Sequence, residues 1–220
     1  MILNLFLNIP KIFFTGLILL FRIHSFGQEP PEKYQGTFYK IGFNYGFGSV
    51  DNPIFSDGDY FYEFQLRKFQ IYYKIKEGNI FDYEFIFQPE VNTVKHQLTS
   101  DRYIVSRHHP LIERVEEMQS FKTFNEYIMN FGVIIRKNIG LKSSLYLLAS
   151  IGPGYFERTT ERMEEGIGFS DNLAFGFSYD IKRFFIDTRL GYRHVSNGDI
   201  NAVNDGYDAM VIDLGIGFYL

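Results

Sequence analysis

The chain has 220 residues, no cysteine, and 22 Lys+Arg against 26 Asp+Glu. One domain is the default at this length. The acidic balance excludes a basic nucleic-acid footprint, and the missing cysteine excludes lipoprotein anchoring, disulfides, thiol catalysis and Cys-ligated metal. With 25 Phe, 16 Tyr, 20 Gly and no Trp, the composition favours strands and close backbone approach over helices.

Residues 1–27 read as an export signal. Lys11 is the only charge before the apolar run at 12–21, which is too short to span a bilayer as a helix. Ser25-Phe26-Gly27 offers small residues to a signal peptidase, which places cleavage before Gln28 and leaves 28–220 as the mature domain. An anchor helix is the alternative, and the polar flank Arg22-Ile23-His24 argues against it. Mean hydropathy is −0.13, too low for a helical membrane protein, and no later apolar run approaches the ~20 residues a spanning helix needs.

From residue 37 onward apolar residues alternate with polar or small ones. In 37–48, Tyr39, Ile41, Phe43, Tyr45 and Phe47 oppose Lys40, Gly42, Asn44 and Gly46. Residues 59–75 change parity: Tyr60, Tyr62, Phe64 and Leu66 are even, but Phe69, Ile71, Tyr73 and Ile75 are odd. A β-bulge near Arg67-Lys68 would account for such a flip, and two short strands are the rival reading. In 80–91, Phe81, Tyr83, Phe85 and Phe87 oppose Asp82, Glu84, Gln88 and Glu90. The segments 124–136, 145–155, 166–181, 184–197 and 208–220 continue the pattern, giving eight strands.

A soluble sandwich also alternates, so the buried face must be decided. Charges recur on the polar face of strand after strand, mixed with glycine, which suits the interior of a small barrel. The opposite face is bulky and aromatic, as lipid contact requires. Strands of ten or more residues match the ~9–11 that cross a bilayer at a tilt. Connections at 76–78, 137–142 and 180–183 are short, whereas those at 49–58, 97–123, 157–165 and 198–207 are long. Strict alternation of short and long fits periplasmic turns and external loops. The expected fold is therefore all-β: an eight-stranded antiparallel transmembrane barrel of the outer-membrane type, in a Gram-negative-type cell. The terminal Phe218-Tyr219-Leu220 looks like the aromatic signal read by the barrel-assembly machinery. On the same parity, Arg at Leu214 or Ile216 should destabilise the barrel more than Arg at Gly215 or Tyr219.

One row breaks the lipid-facing pattern. In the seventh strand the even positions Phe184, Ile186, Thr188, Leu190 and Tyr192 continue into His194 and Ser196. In the eighth, Asp208 heads the even row Met210, Ile212, Leu214, Ile216, Phe218. A hairpin register that pairs 194 with 208 gathers all three outside the barrel at its outer rim. Serine, histidine and an acid are the parts of a serine hydrolase: a hydroxyl, a base to take its proton, and an acid to orient the imidazole. Polar residues also appear where strands exit into headgroups, so spacing alone leaves both readings open. His108-His109 could bind a metal, and Asp51, Asp57 and Asp59 could hold Ca²⁺. A solvated loop pair and an acidic turn cluster are the plainer readings, and no metal or cofactor is expected.

The run Arg193-His194-Val195-Ser196-Asn197-Gly198 through Asn204-Asp205-Gly206-Tyr207-Asp208 resembles the signature of the outer-membrane lipid A 3-O-deacylases, the PagL family. That pattern has His-x-Ser-Asn, then Pro-Asn-x-Gly, then an acid. The resemblance implies an eight-stranded barrel that hydrolyses the ester-linked acyl chain at the 3-position of lipid A. It implies a triad of Ser196, His194 and Asp208, with Asn197, Asn204 and Gly198 supporting the site or its oxyanion. Partners would be lipid A or lipopolysaccharide of the outer leaflet and membrane lipids. Asp208 stands where the family has Glu, Val203 where it has Pro, and Gly198 where it has Ala. A non-catalytic barrel with a structural or adhesive role, and a phospholipase barrel using Ca²⁺, are the alternatives.

Overall fold

The computed structural model describes residues 35–51, 58–106 and 110–220; the expected export signal at 1–27 lies outside them. Eight antiparallel strands close into a barrel: β1 Thr37–Ser49, β2 Tyr60–Lys76, β3 Asp82–Leu98, β4 Lys122–Asn138, β5 Ser143–Phe156, β6 Gly166–Ile181, β7 Phe184–Ser196 and β8 Tyr207–Tyr219. Each strand pairs with its sequence neighbour, and β1 closes on β8 with Lys40 opposite Tyr219. Closure removes every open edge. The β3–β4 connection carries two short helices, α1 Arg102–Ser106 and α2 Val115–Gln119. The expected barrel, its strand count and its alternation of short and long connections are all present.

The expected bulge in β2 is not. Ladder pairing runs unbroken from Tyr60↔Leu98 to Lys68↔Glu90, and even residues point inward from Tyr60 to Lys74. What changes at Arg67-Lys68 is the surroundings. In the half nearer the short turns, Phe69 and Ile71 face out while Lys68, Gln70 and Lys74 face in. In the other half Glu63, Gln65 and Arg67 face out while Tyr60, Tyr62, Phe64 and Leu66 pack inside. Above the lipid, water lies outside the wall and the apolar residues turn in to build a core. Polarity reverses without any shift of register.

The interior is layered along the barrel axis. Nearest the short turns, Arg136 grips Glu84 through two N–H groups (2.7 and 3.1 Å), and Lys74 contacts Asp82 and Glu84 at 3.2 and 3.3 Å. The Lys40 ammonium lies 4.9 Å from the ring centres of Tyr39, Tyr72 and Phe185. Mid-barrel, Asp187 accepts from Tyr146 and Ser178 and pairs with Arg189 at 2.9 Å. Higher, Glu90 meets Lys68 at 3.0 Å and Arg193 at 3.2 Å, while Arg193 also reaches Glu126 at 2.8 Å. Such pairing is what makes buried charge tolerable. Above this layer the apolar cluster that includes Tyr62, Phe64, Val94, Phe156 and Tyr207 fills the bore. A second cluster, with Leu98, Ile104, Met118 and Val203, seals it beneath the long loops.

Side chains crowd this lumen. A Cβ at Gly215 would come within 2.0 Å of the Asn44 side chain, and one at Gly217 within 2.3 Å of the Ile41 carbonyl oxygen. Tyr219 is packed with Tyr39 and hydrogen-bonds Asp180 at 2.8 Å. Arg at Gly215 or Tyr219 would therefore carry a packing cost that the expected difference from Leu214 and Ile216 did not include.

Candidate functional site

The β7–β8 ladder pairs His194 directly with Asp208, the register that parity required. Their side chains lie on the outer wall near the long-loop end, and His194 Nδ1 is 2.8 Å from Asp208 Oδ1. A carboxylate only accepts, so Nδ1 carries the proton in the neutral ring and Nε2 keeps its lone pair. The same carboxylate oxygen accepts from the Tyr192 hydroxyl, one step down the outward row of β7. The shorter acid thus reaches the imidazole, because direct cross-strand pairing already brings the two backbones together.

Ser196 continues the row two residues beyond His194 and is half-buried. Its hydroxyl makes no hydrogen bond among the described residues, so Ser196 and His194 share a face without a hydrogen bond between them.

Asn197, Gly198 and Asn204 shape the loop that closes the hairpin. Ile200 N–H donates to the Asn197 carbonyl at 3.3 Å, and Gly198 and Asp199 both have positive φ (63° and 61°). Two left-handed central residues define a tight turn that glycine enters at no steric cost. The Asn204 side chain accepts from Asn197 N–H at 2.6 Å and donates to Asp199 at 2.8 Å, while Asn197 Nδ2 donates to the Val203 carbonyl at 2.8 Å. Val203, standing where the resembled signature has proline, is buried in the cluster under the long loops.

Gly206, the glycine of the resembled signature, and Arg162, which the sequence did not single out, hold this loop against the site. Gly206 has φ 68°, and a Cβ there would lie 2.4 Å from the Val195 carbonyl oxygen and 3.2 Å from His194 Cε1. Arg162, in the β5–β6 connection, donates to the Gly206 carbonyl, and its own carbonyl accepts from Gly206 N–H at 3.0 Å. Its guanidinium lies 4.6 Å from the Tyr60 ring centre, and Met163 bridges to Asn204. Neighbouring Glu161 is buried against His96 at 3.0 Å. The loop before Asp208 is thereby pinned to the core that closes the barrel.

On the outer wall beside these residues runs an open groove of about 540 Å³ crossing β3 to β7. Its floor is low because Ala149 and Gly132 sit between Phe85, Phe131, Ile151 and Leu173, and Tyr192 and Asp171 stand at the β6–β7 end. Asp171 is the other cross-strand partner of His194. His108, His109 and Asp57 lie outside the described residues. Among the described residues no three His, Asp or Glu side chains converge to hold a metal ion.

Residues 113–216 match the family model for lipid A 3-O-deacylase, PagL, a stretch that takes in β4 to β7 and most of β8. No curated protein matches the chain in sequence. Among solved structures, the outer-membrane enzyme PagL superposes with a TM-score of 0.50 at 10% identity, covering 80% of this chain and 97% of that one. Neisserial surface protein A gives 0.45 at 11% identity, covering 83% and 97%. Ail, the attachment invasion locus protein of Yersinia pestis, gives 0.39 at 16% identity, covering 84% and 99%. The chain is an outer-membrane β-barrel, and its resemblance to the PagL family holds across its C-terminal half.

Proposed function

We propose that this outer-membrane barrel, whose residues 113–216 resemble the lipid A 3-O-deacylases, hydrolyses an ester-linked acyl chain at the 3-position of lipid A. The observation that carries the reading is the His194–Asp208 hydrogen bond on the lipid-facing wall, with Ser196 next along the same row. Paired inside the barrel, these groups would be one more structural ion pair. Outside it, at the rim, only outer-leaflet lipids come within reach.

Ser196 Oγ attacks the ester carbonyl while His194 Nε2 takes its proton. Asp208 stabilises the imidazolium that results, and Tyr192 fixes the carboxylate. His194 then returns the proton to the leaving sugar oxygen, and a water attacks the acyl-enzyme by the same route in reverse. The tetrahedral oxyanion needs donors, a contribution often worth ~3–4 kcal/mol. Asn204 spends one amide N–H on Asp199 and retains a second for this role. The groove beside Tyr192 takes the acyl chain, since its floor and walls are apolar over most of their length. None of these steps calls for a metal.

The test is mass spectrometry of lipid A from cells making the intact protein, Ser196→Ala or His194→Ala at matched amounts of folded barrel. The intact protein should shift lipid A by one hydroxyacyl chain, and both variants should leave it unshifted. Unchanged lipid A in all three would favour a non-catalytic barrel. A shift that survives Ser196→Ala would remove Ser196 as nucleophile.

A further inference from the structure

Asp171 interrupts the lipid-facing row of β6, where Ile167, Phe169, Leu173 and Phe175 are its same-face neighbours. A carboxylate in such a row is unfavourable unless something polar meets it. The lumen acids described above all have cationic or hydroxyl partners. Asp171 is exposed, and among the described residues its carboxylate has no hydrogen bond or ion pair. Its position is specific: it lies directly across the ladder from His194 and beside Tyr192 at one end of an otherwise largely apolar groove.

We propose that Asp171 is a specificity-determining residue. It accepts a hydrogen bond from a hydroxyl or amide N–H that the substrate carries within a few bonds of the scissile ester. It thereby selects a hydroxylated or amide-bearing glycolipid over a glycerophospholipid. The inference rests on the hydrolase reading above. Directly paired cross-strand residues have Cβ atoms ~4.5–5.5 Å apart. An ester held between Ser196 and His194 therefore brings the first atoms of its chain or sugar alongside Asp171. A carboxylate there can only accept, so it rewards a donor and repels a phosphodiester. The apolar groove cannot make that distinction, because any long-chain lipid satisfies it. A polar group that must be matched discriminates far more sharply than a methylene does.

The experiment measures kcat/KM of the purified full-length barrel in micelles on four synthetic long-chain esters. These carry or lack a hydroxyl on carbon 3 of the chain, and are built on 2-deoxyglucose or on N-acylated glucosamine, so that each pair differs by one donor. The wild type should favour a donor-bearing ester over its donor-free counterpart by about tenfold or more, the scale of one charge-assisted hydrogen bond. Asp171→Leu should bring that ratio close to one, with Asp171→Asn between them because its amide oxygen still accepts. Whichever pair of esters loses its preference identifies the donor as the chain hydroxyl or the sugar amide. A ratio unchanged in Asp171→Leu, or a wild type that does not discriminate, overturns the inference. Equal loss on all four esters overturns it too, since Asp171 would then act through His194 and not on the substrate. A wild type that hydrolyses none of them sinks the hydrolase reading itself, and the inference with it.

Discussion

Arg193 and His194 are adjacent on one strand, and the barrel treats them in opposite ways. Arg193 is among the largest fully buried side chains, tied to Glu90 and Glu126 and stacked over Phe64. His194 is about one-third exposed and has a single hydrogen-bonded partner, itself open to the outside. Inside the wall, polarity is saturated by other polarity and serves the fold. Outside, a few groups keep capacity unspent, and that spare capacity is what chemistry needs. Period two assigns consecutive residues of one strand to these two kinds of work.

That contrast can be broken from either side. The largest effect is expected at Arg193→Met, which leaves Glu126 without its cation and should cost about 3–5 kcal/mol of folding stability. Folding titrations in urea would show it, while deacylation per folded barrel stays at the wild-type level. Loss of activity without loss of stability would mean the inner network reaches the site. Next comes Asp208→Asn, which removes the acceptor for Nδ1–H. The turnover rate should fall about 100-fold, equivalent to ~2.7 kcal/mol, with stability unaltered. Full activity would show that the acid lies elsewhere. Gly206→Ala combines a left-handed backbone with a Cβ driven against the Val195 carbonyl oxygen and close to the His194 ring, and a strain of order 1–3 kcal/mol is expected. Its signature is a lower kcat at nearly constant KM. The smallest change is Ala149→Phe, which fills the groove floor. It should raise KM for long-chain esters only a few-fold, ~0.5–1 kcal/mol, and spare short ones.

Much of this arrangement could be read from residue order because parity is a local property. Strand count, loop alternation and the 194–208 register all follow from which positions are bulky. The error at Arg67-Lys68 has a physical source: an apolar face points out when lipid surrounds the wall and in when water does. A parity rule written for one solvent therefore invents a bulge at the boundary between two. Arg162 was illegible for another reason, since its role comes from a loop-to-loop contact with Gly206 across 44 residues of chain, and the signature that contains Gly206 does not reveal that partner. Asp171 did leave a signal. The apolar odd row Phe169, Leu173, Phe175, Phe177, Tyr179 has one gap, and Asp171 is the residue in it.

The buried layers that fill the bore from Arg136 to Val203 have an electrical consequence. A cylinder of eight strands with its axis occupied by interlocked ion pairs, and by apolar clusters above them, should behave as an insulator. Inserted into a planar bilayer under an applied voltage, the protein should add no measurable conductance and admit no sugar or ion to the periplasm. Traffic through such a barrel is closed, so its dealings with the surrounding membrane pass along its flank.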